Sequence, residues 1–484
     1  MCSLNRAIGA VFAMLIAWSG CTGAGQPPAP AVKQLPDDWV AVTTVPLAHG
    51  VASGDVTSRS ARIWLRTAGP AQVELEWTPD GQDREHSRAL VFSTSQDRDY
   101  AATVAVENLR PATRYRYTVN ARLTNQRSSR EIIEESGSGV FMTPPADDKS
   151  EPFTFLWSGD LGGQKRCRDE WVGYPIFYRM LQVKPVFAIL LGDTIYGDDT
   201  CPSPPNAPGS ELAAATLDQF RAKHRYQRGS HAVQRFLASV PVYAMWDDHE
   251  VQNNFSGPHD PLMPTGRQAF LEYWPIGTTP EEPTRLHRKF RRGADAEFFI
   301  LDTRQYRDRN ADRDSPTKTM LGSAQREWLL EGLARSTATW KFIVTSVPLS
   351  NPKGGTTQMP GNDSWARAED GTGFRTELRT IVNAILKGRV RNVVWLAGDV
   401  HYTQVNTYDP NGDGTPDFHE FIAGPLSAVP GKPIPPDSAF KPTTLHSEGG
   451  FYNFGLVTVN KGELRLEIVD DTGLPRFTRI FKAQ

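Results

Sequence analysis

Four apolar runs in this chain end in the same way. FTFLWSGD stops at Asp160, VFAILLGDTIY at Asp193 and Tyr196, VPVYAMWDDHE at the stretch Asp247 to Glu250, and NVVWLAGDVH at Asp399 and His401. A single Asp after an apolar run is most simply a helix cap or a turn residue. Four of them within one region point instead to a crevice outside the carboxyl ends of buried strands, where open α/β sheets build their sites. Several carboxylates and two imidazoles gathered there repel one another and need cations to offset the repulsion. Carboxylate oxygen suits Ca, Mg or Mn, whereas a phenolate beside an imidazole suits iron. A carboxylate such as Asp193 has the reach to bridge two ions about 4 Å apart, the spacing of two-metal phosphate chemistry.

The elements that must position these residues follow from hydrophobic pattern. Residues 45–146 read as all-β, with ARIWLRT, AQVELEWT and ATVAVENL as strands separated by turn residues. LRPATRYRYTV resembles the tyrosine corner of fibronectin-type sandwiches, with Tyr115 or Tyr117 as the corner residue. After the hydrophilic PPADDKSEP, strand-length apolar runs alternate with the helical segments ELAAATLDQFRAKHRY, SAQREWLLEGLAR and GFRTELRTIVNAILKG. That alternation predicts an α/β domain over 152–484 whose strands are buried on both faces. The chain closes on three further strands, NFGLVTVN, ELRLEIVDDTG and RFTRIF, and carries no internal repeat.

The composition of the 484 residues, 22% charged and 39% hydrophobic, is that of a globular protein. A net charge of −2 with no basic stripe gives no nucleic-acid-binding patch. Residues 1–21 read as an export signal: Arg6, then an apolar run from Ala7 to Trp18 too short to span a bilayer, then Ser19-Gly20-Cys21. The pattern resembles a bacterial lipoprotein signal that would lipidate Cys21, against cleavage by an ordinary signal peptidase, with residues 22–44 as a linker; its departure is Trp18, where such signals usually carry Leu. The expected location is periplasmic or cell-envelope, with the membrane reached through the lipid anchor alone. In an exported chain Cys167 and Cys201 are candidates for a disulfide, and Cys167 has a competing role as a thiolate metal ligand.

GD, then GDxxY, then DDHE, then GDVH is the motif order of binuclear metallophosphoesterases, and it resembles the PhoD-type alkaline phosphatase and phosphodiesterase family in particular. HGVASGDVTSRSARIWLRT resembles that family's N-terminal sandwich, and FILDTRQYRD, MLGSAQREWLLEGL and FIAGPLSA resemble its later segments, so the likeness covers nearly all of 48–484. It implies a metallophosphatase-type layered β-sheet sandwich flanked by helices, preceded by an Ig/fibronectin-like β-sandwich. It implies that Asp160, Asp193, Tyr196 and His401 hold a first ion, Fe3+, and that Asp193 bridges to a second, Ca2+, held also by Asp248 and Asp399. Mn2+ or Zn2+ are the divalent substitutes. His249 would protonate the leaving oxygen or donate to the phosphate, and Asn253 and Asn254 would contact phosphate or calcium. Some family members carry Cys where this chain has Asp160, which favours the disulfide for Cys167.

The chemistry implied is direct displacement by water activated between the ions, and no Ser or Cys nucleophile stands in a recognisable elbow. Lys165, Arg166 and Arg228 are candidate phosphate clamps against the simpler reading of solvated charges. DPNGDGTPDFHE matches D-x-[DN]-x-[DN]-G-x5-E and would set Asp409, Asn411, Asp413, the Thr415 carbonyl, Asp417 and Glu420 around calcium, against a polar β-turn. Trp171 and Tyr174 read as packing against a role in lining the pocket, and His224, His231 and His259 read as surface or packing residues. The loops 256–267 and 351–373 are expected to shape the pocket. The expected activity is hydrolysis of small-molecule or polymeric phosphate esters at alkaline pH. The alternatives are a phospholipase D-like diesterase and a non-catalytic calcium-binding surface lipoprotein.

Overall fold

The computed structural model describes residues 47–82, 84–124, 134–352 and 360–484. The signal segment 1–21 with Cys21, and the linker 22–44, lie outside the described residues. Two large sheets lie face to face. The first has nine strands in the order Pro475–Lys482, Glu463–Asp470, Asn453–Asn460, Phe153–Ser158, Phe187–Leu190, Val242–Ala244, Val51–Gly54, Ser60–Arg66, Ala101–Glu107. The second has seven, in the order Arg288–Arg292, Ala296–Ile300, Trp340–Val344, Val393–Ala397, Phe418–Ile422, Tyr402–Tyr408, Pro442–Gly449.

Side-chain alternation along these strands explains why they read as unbroken apolar runs. Phe155 and Trp157 face the second sheet, and Phe155 meets Phe298 and Phe342 edge-on, each at 5.2 Å between ring centroids. Leu156, between them, faces the opposite way into a core shared with Phe177, Met180, Phe236 and Phe270 from the helices Ile176–Gln182, His231–Ser239 and Met263–Tyr273. The second sheet repeats the arrangement: Phe298 and Ile300 point between the sheets, and Phe299 packs with Leu329, Leu378 and Ile381 of the helices Gly322–Arg335 and Arg375–Lys387. Four layers result, helix, sheet, sheet, helix, and the central strands are buried on both faces, while edge strands such as Pro475–Lys482 and Pro442–Gly449 stay largely exposed. The first of the three expected helices begins later than its apolar content predicts, at Leu217. Thr216 and Gln219 close a capping box there, which leaves the segment from Glu211 to Ala215 outside the helix.

The described residues between 47 and 145 divide their strands between two sheets. Ala71–Pro79, Arg88–Thr94, Arg114–Leu123 and Glu134–Met142 form a four-stranded sheet of their own, whereas Val51–Gly54, Ser60–Arg66 and Ala101–Glu107 extend the nine-stranded one. The corner tyrosine is Tyr115, whose hydroxyl accepts the Arg110 N–H at 2.9 Å. Among the described residues no helix is long and apolar enough to cross a membrane.

A polar knot ties this N-terminal part to the helices below it. Asp99 accepts both arms of the Arg66 guanidinium (2.9 and 3.1 Å), and also Arg225 and the Tyr273 hydroxyl. Arg228, expected as a phosphate clamp, belongs here instead. It is buried over the faces of Trp64 (3.7 Å) and Trp274 (4.8 Å) and donates to the Tyr273 carbonyl, because two tryptophans from distant segments enclose its guanidinium. Burial alone would raise the Asp99 carboxyl, but its hydrogen bonds with Arg66 and Tyr273 and the charge of Arg225 outweigh that and hold it at about 2. Since the folded carboxyl keeps its charge below the unfolded value of 3.8, its contribution is complete above about pH 4 and is lost as pH falls through about 2. Asp99→Asn is therefore expected to lower stability at pH 7 by about 2 kcal/mol, since Arg66 and Arg225 lose their counter-charge in a partly exposed site. It should also flatten the loss of stability between pH 4 and 2, read from denaturant midpoints across that range; an unchanged acid limb would remove Asp99 from this role.

Candidate metal centre

All the strands that deliver acidic residues run parallel, so their carboxyl ends reach one edge of the two sheets. Asp160 lies just beyond Phe153–Ser158, Asp193 beyond Phe187–Leu190, Asp247 and Asp248 beyond Val242–Ala244, and Asp399 beyond Val393–Ala397. Each turn must reverse sharply into the crevice. Asp160, Asp193, Asp399 and His401 accordingly take positive φ, at 61°, 49°, 69° and 59°. Non-glycine residues adopt that conformation at a cost, and strain gathered this way marks a working site. Gly192 (φ 101°) supplies the close approach that lets two turns nest, since a Cβ there would stand 2.4 Å from the Asp247 nitrogen.

The structure brings the sequence-derived residues together in overlapping sets. Asp160, Asp193 and His401 offer ligand atoms within 4.8 Å of one another, as do Asp193, Asp248 and His249, and Asp247, Asp248 and Asp399. The Tyr196 hydroxyl is 3.1 Å from His401 Nε2, which is 3.3 Å from Asp160 Oδ1. His401 Nδ1 donates to the Val429 carbonyl at 2.7 Å, which leaves Nε2 turned to the carboxylates. Asp193 thus belongs to both sides of the cluster, the place a bridging ligand occupies. The crevice, about 430 Å³, is lined by Asp193, Asp248, His249, Asn253, Asn254 and Asp399 among others.

Electrostatics here are those of a cation site. Burial drives the Asp193 carboxyl well above the ordinary carboxylate range, and Asp248, Asp247, Glu250 and Asp160 add to the shift. Burial and then Asp363, Asp247 and Asp248 do the same to Asp399, and burial with the surrounding carboxylates raises Tyr196. Burial opposes an imidazolium at His249, but Asp248, Asp198 and Asp247 outweigh it and push the ring up to about 9. Asp160 Oδ2 is buried with no hydrogen-bond partner among the described residues, which a polar atom tolerates poorly unless an ion takes it. Oxygen-rich ligands, a phenol, one imidazole and an orphaned carboxylate oxygen together fit metal ions.

Several residues that hold this arrangement carried no functional reading in the sequence. Glu250 is fully buried and accepts the N–H groups of Asp193 (3.0 Å), Thr194 (2.7 Å) and Asp247 (2.8 Å), so it clamps two ligand turns together. Arg304, equally buried, donates to Asp247 and to Asp363 (3.0 Å) and stands 3.9 Å from Asp248. Asp247 gives Oδ1 to Arg304 and Ser346, while its Oδ2 is buried without a hydrogen-bond partner among the described residues and stays available to the set it shares with Asp248 and Asp399. Asp198 bonds His249 Nδ1 at 2.6 Å and takes the Asn253 N–H at 2.8 Å. Asn254 donates its backbone N–H to Asp248 at 2.6 Å and its side-chain amide to Asp248 (3.2 Å) and Asp363 (3.0 Å). A signal for Arg304 existed: FFILDTR ends like the other four runs, and its Asp302 receives the Trp246 indole N–H at 2.8 Å. Asp363 and Asp198 lie in loops that leave no periodic trace.

Other expected residues fall elsewhere. Cys167 and Cys201 are joined in a disulfide, Cα atoms 5.8 Å apart, that pins the loop after Asp160 to the loop after Tyr196. Lys165 and Arg166 are exposed on that first loop, and Gln164 is the residue from it that lines the crevice. Trp171, read as packing, stands 87% exposed, while Tyr174 is buried. The calcium-loop reading of 409–420 is corrected. Glu420 is buried inside the second sheet, accepting from Leu349 N–H, Asn406 and the Tyr408 hydroxyl, so it cannot close a ligand shell. Asp409 instead takes the N–H groups of Gly412, Asp413 and Gly414, a polar turn between two antiparallel strands.

Paired sheets with parallel strand ends feeding carboxylates into one crevice define a metallophosphatase-type fold, and the crevice gathers three overlapping candidate sets of metal ligands. Residues 162–464 match the family described as PhoD-like phosphatase, and residues 34–145 match its N-terminal domain. The chain belongs to the PhoD-like phosphatase family. It is 29% identical over 406 residues to alkaline phosphatase D of Bacillus subtilis (strain 168), a match that covers 74% of this chain and 65% of that protein's length. Among solved structures it is similar to PhoD, with a TM-score of 0.73 and 24% identity over 90% of this chain and 89% of that one. It is also similar to the purple acid phosphatase PPD1 of yellow lupin (Lupinus luteus) seeds, with a TM-score of 0.62 and 14% identity over 90% and 74% of the two chains.

Mutual repulsion gives a test that needs no substrate. Asp399→Asn removes one buried charge, so the metal-free variant is expected to melt at or above the wild-type temperature. Added iron and calcium should raise its melting temperature less than they raise that of the wild type. A metal-induced gain equal to that of the wild type would remove Asp399 from the ligand set.

Proposed function

We propose that this chain is a metal-dependent phosphoric ester hydrolase of the alkaline phosphatase D type, acting on phosphomonoesters, phosphodiesters or both. The observation that carries the reading is Asp193, strained and buried at the junction of two ligand sets. Asp160, Tyr196 and His401 would hold the first ion, read as Fe3+, and Asp248 and Asp399 the second, read as Ca2+, with Asp193 common to both. Bound there, such ions supply Lewis-acid polarisation of the phosphoryl group and a nucleophilic water at neutral to alkaline pH.

The chain's own groups do the rest. Asp198 holds His249 Nδ1 at 2.6 Å, and Tyr196 stacks on the imidazole with centroids 4.1 Å apart, so the ring is fixed with Nε2 free for a substrate oxygen. A charged imidazole in that place donates its proton to the departing ester oxygen. Asn253 lines the crevice beside it, where its amide can bond a phosphoryl oxygen. Asp198 is a positioning residue in this scheme and does not touch substrate.

Hydrolysis of bis-p-nitrophenyl phosphate and p-nitrophenyl phosphate, with iron and calcium supplied, tests the assignment. Both the wild-type turnover and its loss in Asp193→Asn are expected, and the ratio of the two rates sets the diester preference. His249→Ala should lower kcat by roughly 10²-fold or more for an alkyl ester, whose leaving oxygen needs the proton, and far less for p-nitrophenyl esters. Equal losses on both would mean that His249 does not act as the acid, and no turnover in metal-loaded protein would end the hydrolase reading.

Export with lipidation at Cys21 is part of the proposal. It is supported by the signal pattern of residues 1–21 and by a disulfide of the kind that persists in oxidising compartments. Full-length protein expressed in a bacterium should partition with membranes, and Cys21→Ser should release it into the soluble exported fraction. Wild-type protein found soluble would rule the anchor out.

A further inference from the structure

The segment Arg304 to Asn310 carries three arginines with different fates. Arg304 is engaged with Asp247 and Asp363 beneath the metal centre. Arg307 is buried and donates to the Thr303 carbonyl, to Asn310 Oδ1 and to the Asp363 carbonyl. Arg309, two residues on, is exposed and has no ion-pair or hydrogen-bond partner for its guanidinium among the described residues.

Where Arg309 stands makes it more than a surface charge. It lines a cavity of about 250 Å³ together with His259, Gln252 and Asn310, and that cavity shares Asn253 and Asn254 with the catalytic crevice. The one acid on its wall, Asp260, is already bonded to Gln252 and to the Leu262 N–H, so its oxygens are not turned on a ligand. Asn310, the residue after Arg309, is held against the centre. Asn310 Nδ2 donates to the Asn254 carbonyl at 2.8 Å, its N–H donates to Ser256 Oγ at 3.2 Å, and Asn254 in turn binds Asp248. A cation is thus presented on a rigid turn one chamber away from the scissile position, on the Asp248 side. Lys432, also exposed, lines the main crevice on the loop that packs against His401, at the opposite side.

We propose that Arg309, with His259, forms a second anion subsite that receives a further phosphate or phosphonate group of the substrate, beyond Asn253 and Asn254 from the scissile ester. The proposal rests on the hydrolase reading above. Arg309 gives a second anion an unpaired guanidinium to meet, apart from the cations that would hold the scissile phosphate. With it, a substrate bearing two anionic groups is selected over one bearing a single group, by a charge-assisted contact made outside the reacting centre.

Competitive inhibition of bis-p-nitrophenyl phosphate hydrolysis tests this, with the metal-loaded enzyme. Alkane-α,ω-diphosphonates with linkers of roughly two to six carbons are compared with the matching alkylphosphonates. At one linker length the diphosphonate should bind about tenfold more tightly than the monophosphonate, and Arg309→Ala should bring that ratio back toward unity. Arg309→Lys should restore part of the gain, and unchanged melting temperatures would show that both variants fold. The inference is overturned if no diphosphonate exceeds the monophosphonate by more than the statistical factor of about two expected of two equivalent ends. It is equally overturned if the gain survives in Arg309→Ala, which would report chelation of the metals, or if Lys432→Ala abolishes it and Arg309→Ala does not. Failure of the hydrolase reading looks different: no hydrolysis to inhibit in the wild type, which removes both proposals together.

Discussion

The repulsion among carboxylates buried at one edge of two sheets is the constraint around which the rest of this structure is arranged. Asp160, Asp193, Asp247, Asp248 and Asp399 stand close enough that burial and mutual charge push Asp193 and Asp399 far from their ordinary ionisation. A fold tolerates this only if other groups compensate. Arg304 does so for Asp247 from below, whereas Glu250 adds a further buried carboxylate and holds the two turns together by accepting three of their backbone N–H groups. The remaining charge, Asp160 Oδ2 without a hydrogen-bond partner among the described residues included, is left for cations. Arrangement by charge and arrangement by function coincide here.

Holding such groups in place requires a rigid support, which the apolar face between the sheets provides. Phe155, Phe187, Phe298 and Phe342 interlock there by edge-to-face and stacked contacts. Interiors packed at this density transmit little slack to the strand ends. Four candidate ligand residues at positive φ can persist because the strands that lead into them cannot relax. The disulfide between Cys167 and Cys201 extends the same rigidity to the loops beyond Asp160 and Tyr196, which carry no strand of their own.

How much of this was legible in the sequence follows from what periodicity can report. A parallel strand buried on both faces is an unbroken apolar run, so its end is marked sharply by the first ionisable residue, and Asp160, Asp193, Asp248 and Asp399 were all found that way. Residues delivered by loops leave no such mark. Asp198 sits five positions past Asp193 and Asp363 lies in an irregular segment, and only the fold shows that one orients His249 and the other meets Arg304 and Asn254. Motif matching leaves a calcium loop and a polar turn both open at 409–420, and a neighbouring strand decides for the turn: Glu420 fits the calcium-loop pattern, yet the second sheet needs its carboxylate for Tyr408, Asn406 and the Leu349 N–H. Arg228 failed as a clamp for a similar reason. Nothing in its neighbours along the chain announces Trp64 and Trp274, which come from segments far away in sequence.

The N-terminal strands are part of the centre's support and not an appendage to it. Val242–Ala244 has three residues, too few to hold a direction by itself, yet Asp247, Asp248 and His249 all leave from it. It is paired on one side by Phe187–Leu190 and on the other by Val51–Gly54, so the N-terminal part encloses the strand within the sheet. The approach is close enough to require glycine at position 54, where a Cβ would stand 2.4 Å from the Val242 carbonyl oxygen. Asp55, the next residue, pairs with Arg288 at 2.9 Å, and Arg288 donates in turn to the Ala244 carbonyl at 2.8 Å. One ion pair therefore links the N-terminal strands, the second sheet and the last residue of the strand that launches the DDHE turn. A weakened Asp55 to Arg288 contact would loosen ligands that neither residue touches, because the strand end that aims them would lose its fixed direction.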